Sequence, residues 1–217
     1  MNLLLRKGMT MSLERLIVAT RNQKKTVEIR EMLRGICEVV DVTELETEGV
    51  VLPEIEETGT TFSENATLKA EGISRVVSGL VLADDSGLEV DGLNGEPGVW
   101  SSSYGGEEGN HLKNNARLER ELSAVPEARR TGRFRCVMVL AKEGAVLGSF
   151  AGAVEGRLLE KAQGTEGFGY DPYFVPEGYE QTFAELGSDL KNRMSHRGRA
   201  LAQAVEFLKA DTNQGIS

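Results

Sequence analysis

Four apolar residues in a row, Leu16-Ile17-Val18-Ala19, stand out from the mixed start of the chain. An unbroken run of this length predicts a strand covered on both faces. Thr20-Arg21-Asn22 follow as a polar cluster able to cap a helix, and Val27, Ile29, Met32, Leu33 and Ile36 then recur at helical spacing. Gly35 reads as the stop, and Cys37 to Val42 as a second strand. This β-α-β opening predicts an α/β fold. Residues 43–61, rich in Glu, Thr and Gly, read as a loop. Phe62, Ala66, Ala70, Ile73 and Val77 mark another helix, closed by Ser78-Gly79. Leu80 to Ala83 is a third buried strand that ends at Asp84-Asp85, and Gly92, Gly95, Pro97 and Gly98 break the next segment into turns. A polar helix is expected over 107–122, and two strands over 132–141 and 145–155 joined at Glu143-Gly144. Gly164 to Gly169 reads as a loop, and the last helix gathers Leu201, Ala204, Val205 and Leu208 on one face. No repeat, low-complexity tract or long linker divides the chain.

Composition narrows the function classes. A chain of 217 residues has room for one large domain or two lobes sharing a core. Hydrophobic residues at 40% and charged residues at 27% match ordinary globular usage, which argues against disorder. A net charge of −9 argues against nucleic-acid and membrane partners, because phosphate surfaces attract basic proteins. A small anion is still allowed where local cations or a bound metal reverse the field. Cys37 and Cys136 lack metal-ligand spacing and read as reduced, buried thiols. Two histidines leave no multi-histidine metal centre. No apolar run reaches the ~20 residues of a membrane span. At the start, Arg6 and Lys7 lie behind the short apolar stretch, unlike a signal peptide. The expectation is a cytoplasmic protein with an extension over 1–14, in which Met9 or Met11 is an alternative start. One domain is expected over 15–210, and a tail over 211–217.

Chemistry concentrates in four places. Asp84-Asp85-Ser86-Gly87 follows a buried strand, and ligands in α/β sheets collect where strands end. Neighbouring strand residues point to opposite faces, so one aspartate faces a given pocket and could hold Mg²⁺ through hard oxygens. A plain turn is the alternative. Thr20 to Lys25 opens a helix, where free N–H groups and Lys25 suit phosphate; a capped, solvated helix start is the alternative. Gly167-Phe168-Gly169-Tyr170-Asp171 sets rings between glycines, as for stacking on a base, or as a tight turn with core aromatics. Lys191 and Ser195-His196-Arg197 gather polar groups at the last helix, with Ser195 able to act simply as an N-cap. Glu54, Glu56 and Glu57 offer a second metal ligand or a solvated acidic loop. His111 has no such company and reads as a surface residue.

Together these strings resemble the inosine triphosphate pyrophosphatase family, the pyrophosphatases of non-standard purine nucleoside triphosphates (dITP/XTP diphosphatases). The strings are ATRNQKK (19–25), ETGTTFSENATLKA (57–70), ADDSGLEVDGLNGEPGVWS (83–101), GFGYDPYF (167–174) and KNRMSHRGRAL (191–201). The resemblance implies two lobes around a long mixed central β-sheet flanked by helices, with the active cleft between the lobes, and a homodimer. It implies Mg²⁺-dependent hydrolysis of ITP, dITP and XTP to the monophosphate and pyrophosphate, which cleanses the nucleotide pool. Carried onto matching positions, Thr20, Arg21, Asn22, Gln23, Lys24 and Lys25 hold phosphates, and Asp85 binds Mg²⁺ and accepts the proton of the attacking water. Ser86 lies beside the substrate. Phe168, Gly169, Tyr170 and Asp171 contact base and sugar, and Lys191, His196 and Arg197 read the purine and nearby phosphate. Glu56 is the second metal ligand. Arg21 stands where many members have Gly, and Ser103 where many have Arg, which bears on substrate affinity. A pyrophosphatase of modified pyrimidine triphosphates and a nucleotide sensor without turnover are the alternative functions.

Overall fold

The computed structural model describes residues 15–214, with side chains described for 15–210. The expected N-terminal extension lies outside the described residues. One mixed sheet of six strands runs through the molecule in the order β2-β1-β3-β4-β5-β6. Its strands are β1 (Arg15–Val18), β2 (Glu38–Asp41), β3 (Leu80–Val90), β4 (Thr131–Lys142), β5 (Ala145–Leu158) and β6 (Phe174–Pro176). The helices are α1 (Gln23–Met32), α2 (Val42–Thr47), α3 (Phe62–Ser74), α4 (His111–Ser123), α5 (Phe183–Leu186), α6 (Ser188–Met194) and α7 (His196–Gln214). Strands β1, β2 and β3 are parallel, and β3 to β6 antiparallel. No helix among the described residues is long and apolar enough to cross a membrane.

Strand alternation builds two cores back to back. Ile17, Val81, Ala83, Val137 and Val139 pack with Phe62, Ala66, Ala70 and Ile73 of α3. Leu16, Val18, Leu82, Cys136, Met138 and Leu140 pack on the other face with Ile29 and Leu33, and with Leu201 and Ala204 of α7. A third cluster lies farther along β3 and β4, where Leu88, Val90 and Phe134 meet Leu118 and Leu122 of α4, and Tyr170, Phe174 and Phe183. The hairpin between β4 and β5 turns at Glu143 and Gly144, whose φ values of 53° and 79° suit the mirror-image turn that two-residue hairpins prefer. Gly152 of β5 lets α7 come close, since a β-carbon there would collide with the carbonyl oxygen of His196. Side chains of α7 also cover the β5 edge: Arg199 donates to the carbonyl of Ala153, and Gln203 to that of Ala151.

Several expectations are corrected. The third strand does not end at Asp84-Asp85 but continues to Val90, because β4 pairs with it from Val81 to Val90. The expected loop 43–61 contains α2, begun by a reciprocal cap between Asp41 and Glu44. Helix α1 ends at Met32, before Ile36, and Val27 and Ile36 are 49% and 40% exposed, so the buried stripe is shorter and narrower than the apolar positions imply. Residues 211–214 continue α7 rather than forming a tail. Cys136 is buried as expected and Cys37 is half-buried, both as free thiols.

Candidate active site

Because β1 stops at Val18, opposite Leu82, the edge of β3 lies open beyond that point. Strand order reverses there: the chain passes from β1 through α1 to β2 on one side, and returns through α3 to β3 on the other. A crevice at the carboxyl end of β1 is the expected consequence of this topology. A cleft of about 520 Å³ occupies it, with walls from the β1–α1 turn, β3, α3, α4, the loop before β6, and the start of α7.

Asp84 and Asp85 point to opposite faces, as strand geometry requires. Asp84 is buried on the α1 side, where its carboxylate pairs with Lys25 Nζ and accepts from Arg197 Nε at 3.1 Å and Cys136 Sγ at 3.0 Å. Burial alone would raise this carboxyl, but Arg197 and Lys25 outweigh it and hold it well below the usual carboxylate range. Arg197, only 2% exposed, also donates to Ser86 Oγ at 2.8 Å and to Glu28 at 2.6 Å. Glu28 accepts from Lys191 Nζ at 2.7 Å, and Lys191 reaches Asp171 at 2.6 Å. Asp171 in turn accepts the backbone N–H of Phe168 at 2.7 Å. Lys25, Arg197 and Lys191 thus alternate with Asp84, Glu28 and Asp171 in one continuous chain. Buried charges persist only when paired and hydrogen-bonded, and here each cation has a carboxylate partner.

On the α3 face the balance differs. Lys69 Nζ lies 3.1 Å from Asp85 Oδ1 and 2.8 Å from Glu57 Oε2, so one cation serves two carboxylates. Asp85 Oδ2 is buried and has no hydrogen-bond partner. Burial, opposed by Lys69, pushes the Asp85 carboxyl up to about 6. An orphaned carboxylate oxygen beside a second carboxylate with net negative charge is the donor set a hard divalent cation requires. Mg²⁺ normally takes one or two carboxylates and fills its shell with water and phosphate oxygens. The residues therefore fit Mg²⁺. Asn65 keeps the acidic loop in place by accepting the N–H of Gly59 at 2.8 Å.

Thr20, Arg21, Asn22, Lys25, Ser86, Phe168, Gly169, Tyr170, Asp171, Lys191, His196 and Arg197 all line this cleft together with Asp85. Gln23 does not; its amide donates to Asp41 at 2.9 Å, away from the cleft. Lys24 stands 6.0 Å above the Phe168 ring without forming part of the wall. Glu56 is exposed and off the wall, whereas Glu54 and Glu57 are on it. Arg21 turns its guanidinium to Glu46 at 2.6 Å rather than across the phosphate loop. Asn22 caps α1 by accepting from the N–H groups of Lys24 and Lys25, so two donors expected for phosphate are already taken. His196 stacks on Phe134 at 4.9 Å, and its Nδ1 is buried without a partner. Burial and the nearby Arg197 and Lys191 hold it well below the usual histidine range, so the ring is neutral.

Glu28 and Lys69 escaped the sequence reading. Their available signal was a polar residue one turn beyond another: Glu28 after Lys25, and Lys69 after Asn65. His111 also lines the cleft and is half-buried, contrary to the expectation of a surface residue. Local spacing could not reveal it, because its neighbour Phe168 is distant in sequence.

Known proteins agree with this architecture. The profile of the Ham1 family matches residues 16–207. A dITP/XTP pyrophosphatase of Bacillus licheniformis is 47% identical over 198 residues, covering 90% of this chain and 98% of that protein. A dITP/XTP pyrophosphatase of Geobacter sulfurreducens is 46% identical over 89% of this chain and 96% of its own. The solved structure of a HAM1 protein from Coxiella burnetii superimposes with a TM-score of 0.79 at 36% identity, over 91% of this chain and 99% of that one. The Staphylococcus aureus Ham1 protein gives 0.77 at 34% identity, over 91% and 100%. With the family profile matched over nearly the whole chain, relatives at 46–47% identity and the same overall fold in solved members, the chain belongs to the Ham1 family.

Proposed function

We propose that this chain hydrolyses non-standard purine nucleoside triphosphates, ITP, dITP and XTP, to the monophosphate and pyrophosphate, using Mg²⁺ at Asp85. The observation that carries the reading is the unpartnered Asp85 Oδ2 in the same cleft as Arg197, His196 and Phe168. The names of the relatives, dITP/XTP pyrophosphatases, support the same reaction. Mg²⁺, when bound, offsets triphosphate charge and polarises the reacting phosphorus.

The chain's own groups divide the remaining work. Asp85, raised to about 6 by burial, is still ionised at neutral pH and accepts the proton of the attacking water. Glu57, joined to Asp85 through Lys69, is the better placed second metal ligand than Glu56. Thr20, Asn22 and Lys25 face the phosphate tail. Phe168 stacks on the base. Arg197 has five N–H donors, of which Asp84, Glu28 and Ser86 occupy one each, leaving two for an oxygen at purine C6. Adenine carries a donor there and would leave those N–H groups unpaired, a mismatch worth up to roughly 10⁴-fold. Cytoplasmic residence and a homodimer complete the proposal, the latter readable by light scattering.

A pyrophosphate-release panel tests it. ITP and XTP should turn over far faster than ATP, GTP and modified pyrimidine triphosphates with Mg²⁺ present. Asp85→Asn should abolish turnover while the protein stays folded. Equal rates across the panel would remove the purine selectivity, and tight ITP binding without pyrophosphate release would make the protein a sensor.

A further inference from the structure

One wall of the cleft, the amino-terminal face of α4, contributes nothing to the chemistry described above. His111 opens that helix and Asn115 lies one turn farther on, so both side chains leave the same face. Both meet the same loop. The His111 ring lies 6.2 Å from the Phe168 ring, inclined at 51°. Asn115 Nδ2 donates to the carbonyl oxygen of Gly169 at 3.1 Å. Tilted ring pairs at this separation attract one another, and a half-buried amide–carbonyl bond adds direction to the contact.

The two partners differ in rigidity. Helix α4 is capped by Asn110, which accepts the N–H of Lys113 at 3.1 Å, and is anchored by Leu118 and Leu122 in the third core cluster. The loop holds Phe168 between two glycines in the left-handed region, Gly167 at φ +75° and Gly169 at φ +61°. Such a backbone leaves ring placement to external contacts. Lys191 Nζ stands 4.8 Å and the Arg197 guanidinium 5.8 Å from the ring centre. The ring therefore touches both α4 and the cationic groups of the cleft.

We infer that α4 is the positioning element for nucleobase binding, with His111 and Asn115 holding Phe168 where a purine stacks while Arg197 reads its edge. The inference deepens the proposed function and rests on it. His111 and Asn115 contact the loop, whereas at the other end of the cleft Lys69 pairs with Asp85 and Glu57, and Lys25 with Asp84.

Calorimetric binding of inosine monophosphate and of inorganic tripolyphosphate, beside ITP kinetics with Mg²⁺, separates the two ends. In His111→Ala and in Asn115→Asp, the KM for ITP and the Kd for inosine monophosphate should each rise about tenfold, a share of one base–aromatic stack. The kcat and the tripolyphosphate Kd should stay within about twofold, since bonds made at the phosphate end are untouched. His111→Phe keeps a ring against Phe168 and should recover most of the loss. Unchanged KM and Kd in both variants would overturn the inference, as would a parallel loss of tripolyphosphate binding, which marks a general folding defect. A His111→Phe protein as weak as His111→Ala would also overturn it, placing the imidazole on the substrate itself. Wild-type protein that releases no pyrophosphate from ITP would sink the proposed reaction, whereas inosine monophosphate binding would still decide the role of α4.

Discussion

Asp84 and Asp85 are chemically identical neighbours with opposite environments. Two cations and a thiol surround the first, while the second shares one lysine with Glu57 and keeps an oxygen free. Geometry, not residue type, pairs one fully and leaves the other with a free oxygen. His196 shows the same dependence on surroundings. Its folded-state pKa lies well below the unfolded value near 6.5, so the unfolded chain takes up the proton first. That contribution to stability is intact above about pH 6.5 and declines below it by about 1.4 kcal/mol per pH unit. Urea unfolding at pH 7.5, 6.5 and 5.5 should show His196→Phe losing less stability on acidification than wild type. Identical pH dependence of the two proteins would mean that His196 takes up no proton on unfolding.

Between elements, Glu28 does what no motif announced. It stands on α1, and its two oxygens hold Lys191 of α6 and Arg197 of α7. Helix α1 is thereby fastened to α6 and α7 across the cleft. Glu28→Gln would leave two buried cations short of one negative charge. Breaking a buried pair in this way costs about 3–5 kcal/mol. Urea titration should register that loss, and ITP affinity should fall with it. A variant as stable as wild type would show that Asp84 and Asp171 suffice to balance both cations. Such links join positions more than 160 residues apart, beyond the reach of any local pattern.

At the scale of the whole molecule, the cleft draws on both faces of the sheet and on the third core cluster, so a bound nucleotide ties all three together. Ligand binding to the folded state alone stabilises by about 2.7 kcal/mol at a hundredfold excess over Kd. For a chain of this size that corresponds to a rise in Tm of about 5–10 °C. Differential scanning calorimetry with a non-hydrolysable ITP analogue should show this rise with Mg²⁺ and a smaller one with chelator. No rise in either condition would count against the cleft as the nucleotide site.

The sequence by itself determined most of the alternation of strands and helices, the opposite facing of the two aspartates and the family strings, because these depend on periods of two and 3.6 residues and on short spacings. It could not determine that β3 runs on past its aspartates, since pairing with β4 decides where a strand ends. Nor could it turn Gln23 away from the cleft, bring Lys69 and His111 into it, or set Glu28 against Lys191 and Arg197. Those placements arise when helices distant in the chain pack on opposite sides of one sheet. Only then are buried charges paired across that distance, and only then is the buried Asp85 Oδ2 left without a partner in the cleft.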